Sequence, residues 1–303
     1  MPVRFRQYSG EKGFSPDFML VCDFLRRINE KHACSLNFPW GRWEWMFSLE
    51  RFLETEQLSR IGVWEDGETI VALVTYESVT GEAYFCLDPI YEALKRELLN
   101  YAMTALQKEG HFRALIPDTD AHFQKIAAQN GFLPTQNYEP LAVLPLDEPL
   151  FSAPLPEGFS LISLAEEYDI KKYNRVLHRG FNHEGDAPED EETLKGRALE
   201  LGGPHAELSL KIAVKAPNGD FAAYCGMWHQ TGDRFALVEP VTTDPTYRRM
   251  GLGKAAVLEA CRRCALRGAK GAYVGSSQQF YYNIGFRPLP RETWWEKNKV
   301  LLR

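Results

Sequence analysis

The chain has 303 residues, 45% of them hydrophobic and 25% charged, with a formal net charge of −6. That length suggests two domains at the usual ~100–200 residues each, and the ordinary composition excludes a disordered or fibrous class. The acidic balance excludes a nucleic-acid partner, which calls for a basic face, and suits a cationic one.

No run approaches the ~18 apolar residues of a membrane span. The N-terminus, MPVRFRQYSGEKGF, lacks the apolar core of a secretory leader. A cytoplasmic chain with no membrane partner is therefore expected. Its cysteines are Cys22, Cys34, Cys86, Cys225, Cys261 and Cys264. Only Cys261 and Cys264 form a CxxC, inside a predicted helix, and no second pair completes a zinc set, so no metal is expected.

In chain order, helices are predicted over 17–30 and 42–53. Strands over 60–64 and 69–76 are joined through Asp66-Gly67, a hairpin dipeptide. A third strand over 83–87 ends at Asp88-Pro89, and a helix over 91–108 runs to Gly110. A short strand over 112–116 and another helix lead to Gly131-Phe132-Leu133-Pro134. Pro145, Pro149, Pro154 and Pro156 then disfavour both helix and central strand and mark a linker.

The second half repeats this order. Helices are predicted over 166–178 and 189–201, then strands over 208–215 and 221–229 about Asn218-Gly219. A strand over 235–242 ends at Asp244-Pro245, and a helix over 252–267 stops at Gly268. A strand over 269–274 and a short helix reach Gly285-Phe286-Arg287-Pro288. A strand over 292–300, with Trp294 and Trp295, closes the half. The fold class is α/β, a mixed and mostly antiparallel sheet flanked by helices, built twice: residues 1–145, a linker at 146–157, and 158–303.

The chemistry concentrates in Val238-Glu-Pro-Val-Thr-Thr-Asp-Pro-Thr-Tyr-Arg-Arg-Met-Gly-Leu-Gly-Lys254. A strand feeds a loop with two glycines and a helix begins at once. Unpaired amides and the helix dipole favour an anion there, and glycine lets the backbone come close to it. With Arg248, Arg249 and Lys254 the segment makes a pyrophosphate cradle. It matches neither the P-loop nor the dinucleotide GxGxxG.

Arg248-Arg249-Met250-Gly251-Leu252-Gly253 resembles the cofactor motif of the GNAT acetyltransferase superfamily, Arg/Gln-x-x-Gly-x-Gly/Ala. Tyr281-Tyr282-Asn283-Ile284-Gly285-Phe286 resembles that family's second mark, and the two stand in the family's order. The resemblance implies two tandem GNAT-like domains and acetyl-CoA as co-substrate. Backbone groups of Val241, Thr242 and Thr243 would hold the pantetheine arm. Amides of Met250, Gly251, Leu252, Gly253 and Lys254 would hold the pyrophosphate. Tyr281 would protonate the departing thiolate. Glu239, on the same strand face as Val241 and Thr243, is either the base or an ordering group beside a water chain. His183 and Glu184, in the segment between the first two helices of that half, are substrate-contact candidates.

The implied acceptor is a small-molecule primary amine, on a monomer or homodimer. A non-catalytic CoA-binding regulator is the competing reading. The first half lacks both marks. Its loop reads Tyr-Glu-Ala-Leu-Lys-Arg-Glu over 91–97, and Ala127 stands where Tyr281 does, so this copy is degenerate. Trp40, Trp43 and Trp45 are expected to fill core rather than form a binding wall.

Overall fold

The structure is a computed structural model that describes residues 2–31, 38–147 and 153–297. Cys34, part of the linker and the end of the predicted last strand lie outside the described residues. The chain divides into two compact units: residues 1–141 with 289–303, and residues 142–288.

Unit 1 begins with β1 (Arg4–Gln7), α1 (Pro16–Lys31) and α2 (Trp40–Ser48). A meander follows: β2 (Gly62–Asp66), β3 (Thr69–Thr75) and β4 (Glu82–Leu87). Gly67 supplies the positive φ of the first turn, +63°. Then come α3 (Lys95–Ala105), β5 (Arg113–Pro117), α4 (Ala121–Gln129) and β6 (Phe132–Glu139). Trp40 and Trp43 are fully buried, and Trp43 packs on Phe18, Phe38 and Phe47, so they fill core as expected.

Unit 2 contains β7 (Ala142–Pro145), β8 (Ser160–Ser163), α5 (Ile170–Gly180) and α6 (Glu191–Leu201). Its meander is β9 (Lys211–Lys215), β10 (Phe221–Trp228) and β11 (Phe235–Thr243). It ends with α7 (Leu252–Ala265), β12 (Gly271–Val274), the one-turn α8 (Gln279–Tyr282) and β13 (Arg287–Pro288). Strand β10 is buried along both faces. Ala223, Cys225 and Met227 face the α7 core, whereas Tyr224 packs with Tyr173, Val176 and Leu177 of α5. Cys225, Cys261 and Cys264 are free and buried in the α7 core.

The predicted last strand is real over its described part, β14 (Glu292–Lys297), but it completes the other sheet. Unit 1 has the order β1-β2-β3-β4-β5-β14-β6, and unit 2 has β13-β7-β12-β11-β10-β9-β8. Each half therefore gives a strand to the other half's sheet. β14 pairs antiparallel with β5 and β6, and β7 pairs antiparallel with β12 and β13. The compact units thus differ from the continuous ranges 1–145 and 158–303 expected from sequence. The physical reason is that both halves end in a strand that fits the same slot in either sheet, between a parallel-paired strand and the strand after the last helix. Local pattern fixes that a strand forms, and leaves its partner open. Within each sheet only β4/β5 and β11/β12 are parallel, so the sheets are mostly antiparallel. No helix among the described residues is long and apolar enough to cross a membrane.

Candidate cofactor cleft

The site is built on the parting of β11 from β12. Their parallel register covers only Phe235↔Gly271, Ala236↔Ala272 and Leu237↔Tyr273. β11 then continues to Thr243 with no strand partner on that side among the described residues. On its other side, Cys225↔Val241 and Met227↔Val238 bracket a bulge in which Gly226 opposes both Glu239 and Pro240. A bulge tolerates Pro240, which has no N–H to give the ladder, and re-aims the strand. Only glycine fits opposite: a Cβ on Gly226 would lie 2.5 Å from the Glu239 carbonyl oxygen.

Asp244 closes the strand and caps the single turn Pro245–Tyr247, accepting from the Thr246 N–H at 2.8 Å. Arg179 of α5 also donates to Asp244. Burial would raise this carboxyl, but the Arg179 and Thr246 hydrogen bonds outweigh it and hold it below the ordinary value. The chain then turns through Arg249 (φ +64°) and Gly251 (φ +80°) into α7. Two left-handed residues flanking Met250 turn successive amides toward one side, an anion nest. Amides of Met250, Gly251, Leu252, Gly253 and Lys254 donate to no backbone carbonyl among the described residues; the first helical bond runs from the Ala255 N–H to the Gly251 carbonyl. Gly253 is buried where a Cβ would stand 2.9 Å from Thr243 Oγ1, so helix and strand meet there.

These elements enclose an open cleft of about 680 Å³. Val241, Thr242, Thr243, Arg248, Arg249, Gly251, Leu252, Gly253, Lys254 and Tyr281 all line it. Met250 is exposed and does not, although its amide belongs to the nest. Arg248 has a second use. Its guanidinium donates to the Thr243 and Gly180 carbonyls and to Asn182 Oδ1, at 3.2, 2.8 and 2.8 Å, bracing the loop against the end of α5. The free cations at the cleft are thus Arg249 and Lys254, for which no partner is found among the described residues.

Tyr281 is 7% exposed, packed between Phe280 and Phe286. Burial pushes its phenol well above the ordinary value, and the nearby Cys225 and Glu239 push it further. It therefore keeps its proton throughout the neutral range. Glu239 is half-buried, like Val241 and Thr243, and close enough to act on Tyr281 electrostatically, but it is not on the cleft wall. His183 and Glu184 are exposed on the turn after α5 and do not line the cleft; the His183 ring lies 5.2 Å from that of His178. Phe181 and Asn182, from the same segment, do line it. Sequence reasoning missed Gly180, where a Cβ would fall 1.6 Å from Thr242 Oγ1. The only local signal was a glycine at a helix end.

Unit 1 has the same parting without the nest. β4 and β5 pair at Glu82↔Arg113 and Ala83↔Ala114 only. The chain then takes a 3-10 turn, Pro89–Leu94, straight into α3, and the Lys95 N–H is bonded to the Glu92 carbonyl. Lys95 Nζ reaches Asp120 at 2.8 Å, and Phe85 meets Phe123 edge to face. Ala127 is fully buried.

Residues 177–286, which contain nearly all of this cleft, match the model of the Acetyltransferase (GNAT) family. Unit 2 carries a GNAT-family domain. No curated protein matches the chain. Among solved structures, a tandem GNAT protein from the clavulanic acid biosynthesis pathway shares 15% identity over 97% of this chain and 98% of that one, with a TM-score of 0.60. A GCN5-related N-acetyltransferase from Sphaerobacter thermophilus shares 13% over 97% and 95%, with a TM-score of 0.59. A GNAT-family acetyltransferase from Colwellia psychrerythraea shares 11% over 98% and 100%, with a TM-score of 0.56. At such identities these likenesses establish the tandem GNAT fold. The GNAT family is one of acetyl transfer from acetyl-CoA, and the nest of Arg249 to Lys254 suits its pyrophosphate.

Proposed function

We propose that unit 2 is an acetyl-CoA-dependent N-acetyltransferase that acetylates a primary amine of a small molecule by direct attack. The observation that carries this reading is the coexistence in one cleft of a phosphate-shaped backbone nest and a buried, protonated tyrosine. Acetyl-CoA supplies an activated thioester. The Met250 to Lys254 amides, with Arg249 and Lys254, would hold its pyrophosphate. The open edge of Val241 to Thr243 would take the amides of the pantetheine arm, as a missing strand would.

Tyr281 would donate its proton to the departing sulfur. Because burial keeps the Tyr281 phenol protonated at neutral pH, it can offer the departing sulfur a hydrogen bond that stabilises the charge growing there as the C–S bond breaks. Glu239 would accept the proton of the incoming ammonium through water, since it is not among the residues lining the cleft. A non-catalytic CoA-binding module is the second reading, and that position of Glu239 is what favours it. The two separate in a thiol-release assay of acetyl-CoA against a panel of primary amines, including polyamines and amino sugars. Release with at least one amine supports the transferase; tight acetyl-CoA binding with no release from any of them supports the module.

A further inference from the structure

We infer that unit 1 holds a binding site for a small neutral carbonyl compound, in the gap where β4 parts from β5. A cavity of about 170 Å³ occupies that gap. Its residues come from both faces of the sheet. Phe38, Asn29 and Cys86 reach it from the side of α1, and Phe85 and Phe123 from the side of α3 and α4. It therefore passes between the strands. An apolar cavity of roughly 150 Å³ takes a molecule the size of benzene, which sets the occupant at about six to eight non-hydrogen atoms.

The polar groups set its chemistry. Asn29 is 3% exposed and lines the cavity. Its Oδ1 accepts the Trp40 N–H at 3.1 Å, which fixes the amide orientation. Its Nδ2 then has no hydrogen-bond partner among the described residues. A donor group on the cavity wall suits an acceptor such as a carbonyl oxygen. At the rim, Lys95 is met by Asp120 at 2.8 Å and by Glu92 at 3.9 Å. Lys95 held by Asp120 leaves little for an anionic head; Asp120, which also accepts the Phe123 N–H, and the solvent-exposed Glu92 leave little inside the cavity for a cationic one. The three rings and the Asn29 donor thus select a neutral, apolar amide or ketone. The site has no nest for a phosphate, so it is distinct in chemistry from the cleft of unit 2.

Three probes with one carbon skeleton test this on the full chain: isovaleramide, isovalerate and isopentylamine, followed by saturation-transfer NMR. Isovaleramide should bind at least ten-fold more tightly than either charged probe. Leu87→Trp, at the half-buried edge of the cavity, should abolish that binding with little change in melting temperature. Asn29→Leu should weaken isovaleramide at least five-fold while the chain remains folded by circular dichroism. Gly251→Glu should leave it unchanged. The inference is overturned if isovaleramide gives no transfer, if a charged probe binds as well, if Leu87→Trp binds normally, or if Gly251→Glu removes the signal and so moves it to the other cleft.

Discussion

In unit 2, β11 runs from its last parallel pair at Leu237 on to Thr243, through a bulge that admits Glu239 and Pro240. In unit 1, β4 stops at Leu87, soon after its last pair at Ala83, and shows no bulge against β3. The longer strand leaves an open backbone edge and delivers the chain to a glycine turn. The shorter one delivers it to a 3-10 turn whose amide is already spent and whose lysine is already paired. The same sheet order therefore yields a wide cleft beside a glycine turn in one copy and a smaller cavity in the other. Function in this fold depends on a few residues after the parting, and much less on the sheet itself.

The exchange of terminal strands is the feature of this comparison most exposed to attack. Trp294 is 2% exposed, with its ring 5.4 Å from that of Tyr84 and the Arg113 guanidinium 4.1 Å above it, all within unit 1. Trp294→Ala should cost about 3–5 kcal/mol, as large core truncations do. The loss should fall on unit 1, with acetyl-CoA affinity unchanged. Denaturant unfolding read beside acetyl-CoA binding checks this, and a variant whose cofactor binding fails first would return β14 to unit 2.

Tyr281→Phe tests the other side of the comparison. Removing a general acid should lower kcat about 10²-fold, with KM for acetyl-CoA nearly constant. Its counterpart in the sequence of unit 1, Ala127, offers no matching gain: it is fully buried, so Ala127→Tyr would overpack that core instead of creating an acid.

The last effect, spread over several pH units, concerns a single buried acid in the exchanged strand. Glu292 is 5% exposed, and burial pushes its carboxyl up from 4.5 to about 8, with Glu139 and Asp118 adding to the rise and Arg42 opposing it. The folded protein then holds a proton that the unfolded chain has already lost. Stability contributed by this group is full below pH 4.5, falls as pH rises toward 8, and is flat beyond. The slope is at most about 1.4 kcal/mol per pH unit. Glu292→Gln should flatten that part of the stability profile and gain a few kcal/mol at pH 9, as measured by urea unfolding across pH. A profile that Glu292→Gln leaves unaltered would show that the carboxyl titrates normally.

Much of this was legible in the sequence, and the limits have physical causes. Turn dipeptides such as Asp66-Gly67 act locally, and so do the glycines of the cofactor loop, because each answers a constraint of its own backbone. Tyr281 was legible by its spacing to Gly285-Phe286. Which sheet receives β14 was not, since two equivalent slots accept one pattern. Nor was the second role of Arg248, whose partners Gly180 and Asn182 are remote in sequence. Gly180 itself was passed over because its requirement, close approach to Thr242, is set by tertiary packing. The bulge opposite Gly226, where Glu239 and Pro240 share one partner residue, is likewise something strand alternation alone does not reveal.

Calorimetric titration of acetyl-CoA into the intact chain tests the central contrast most directly. The account predicts one site per chain, abolished by Gly251→Glu, which would thrust a carboxylate into the nest at a cost in backbone strain of only about 1–2 kcal/mol. Two sites, or one site that survives Gly251→Glu, would contradict it.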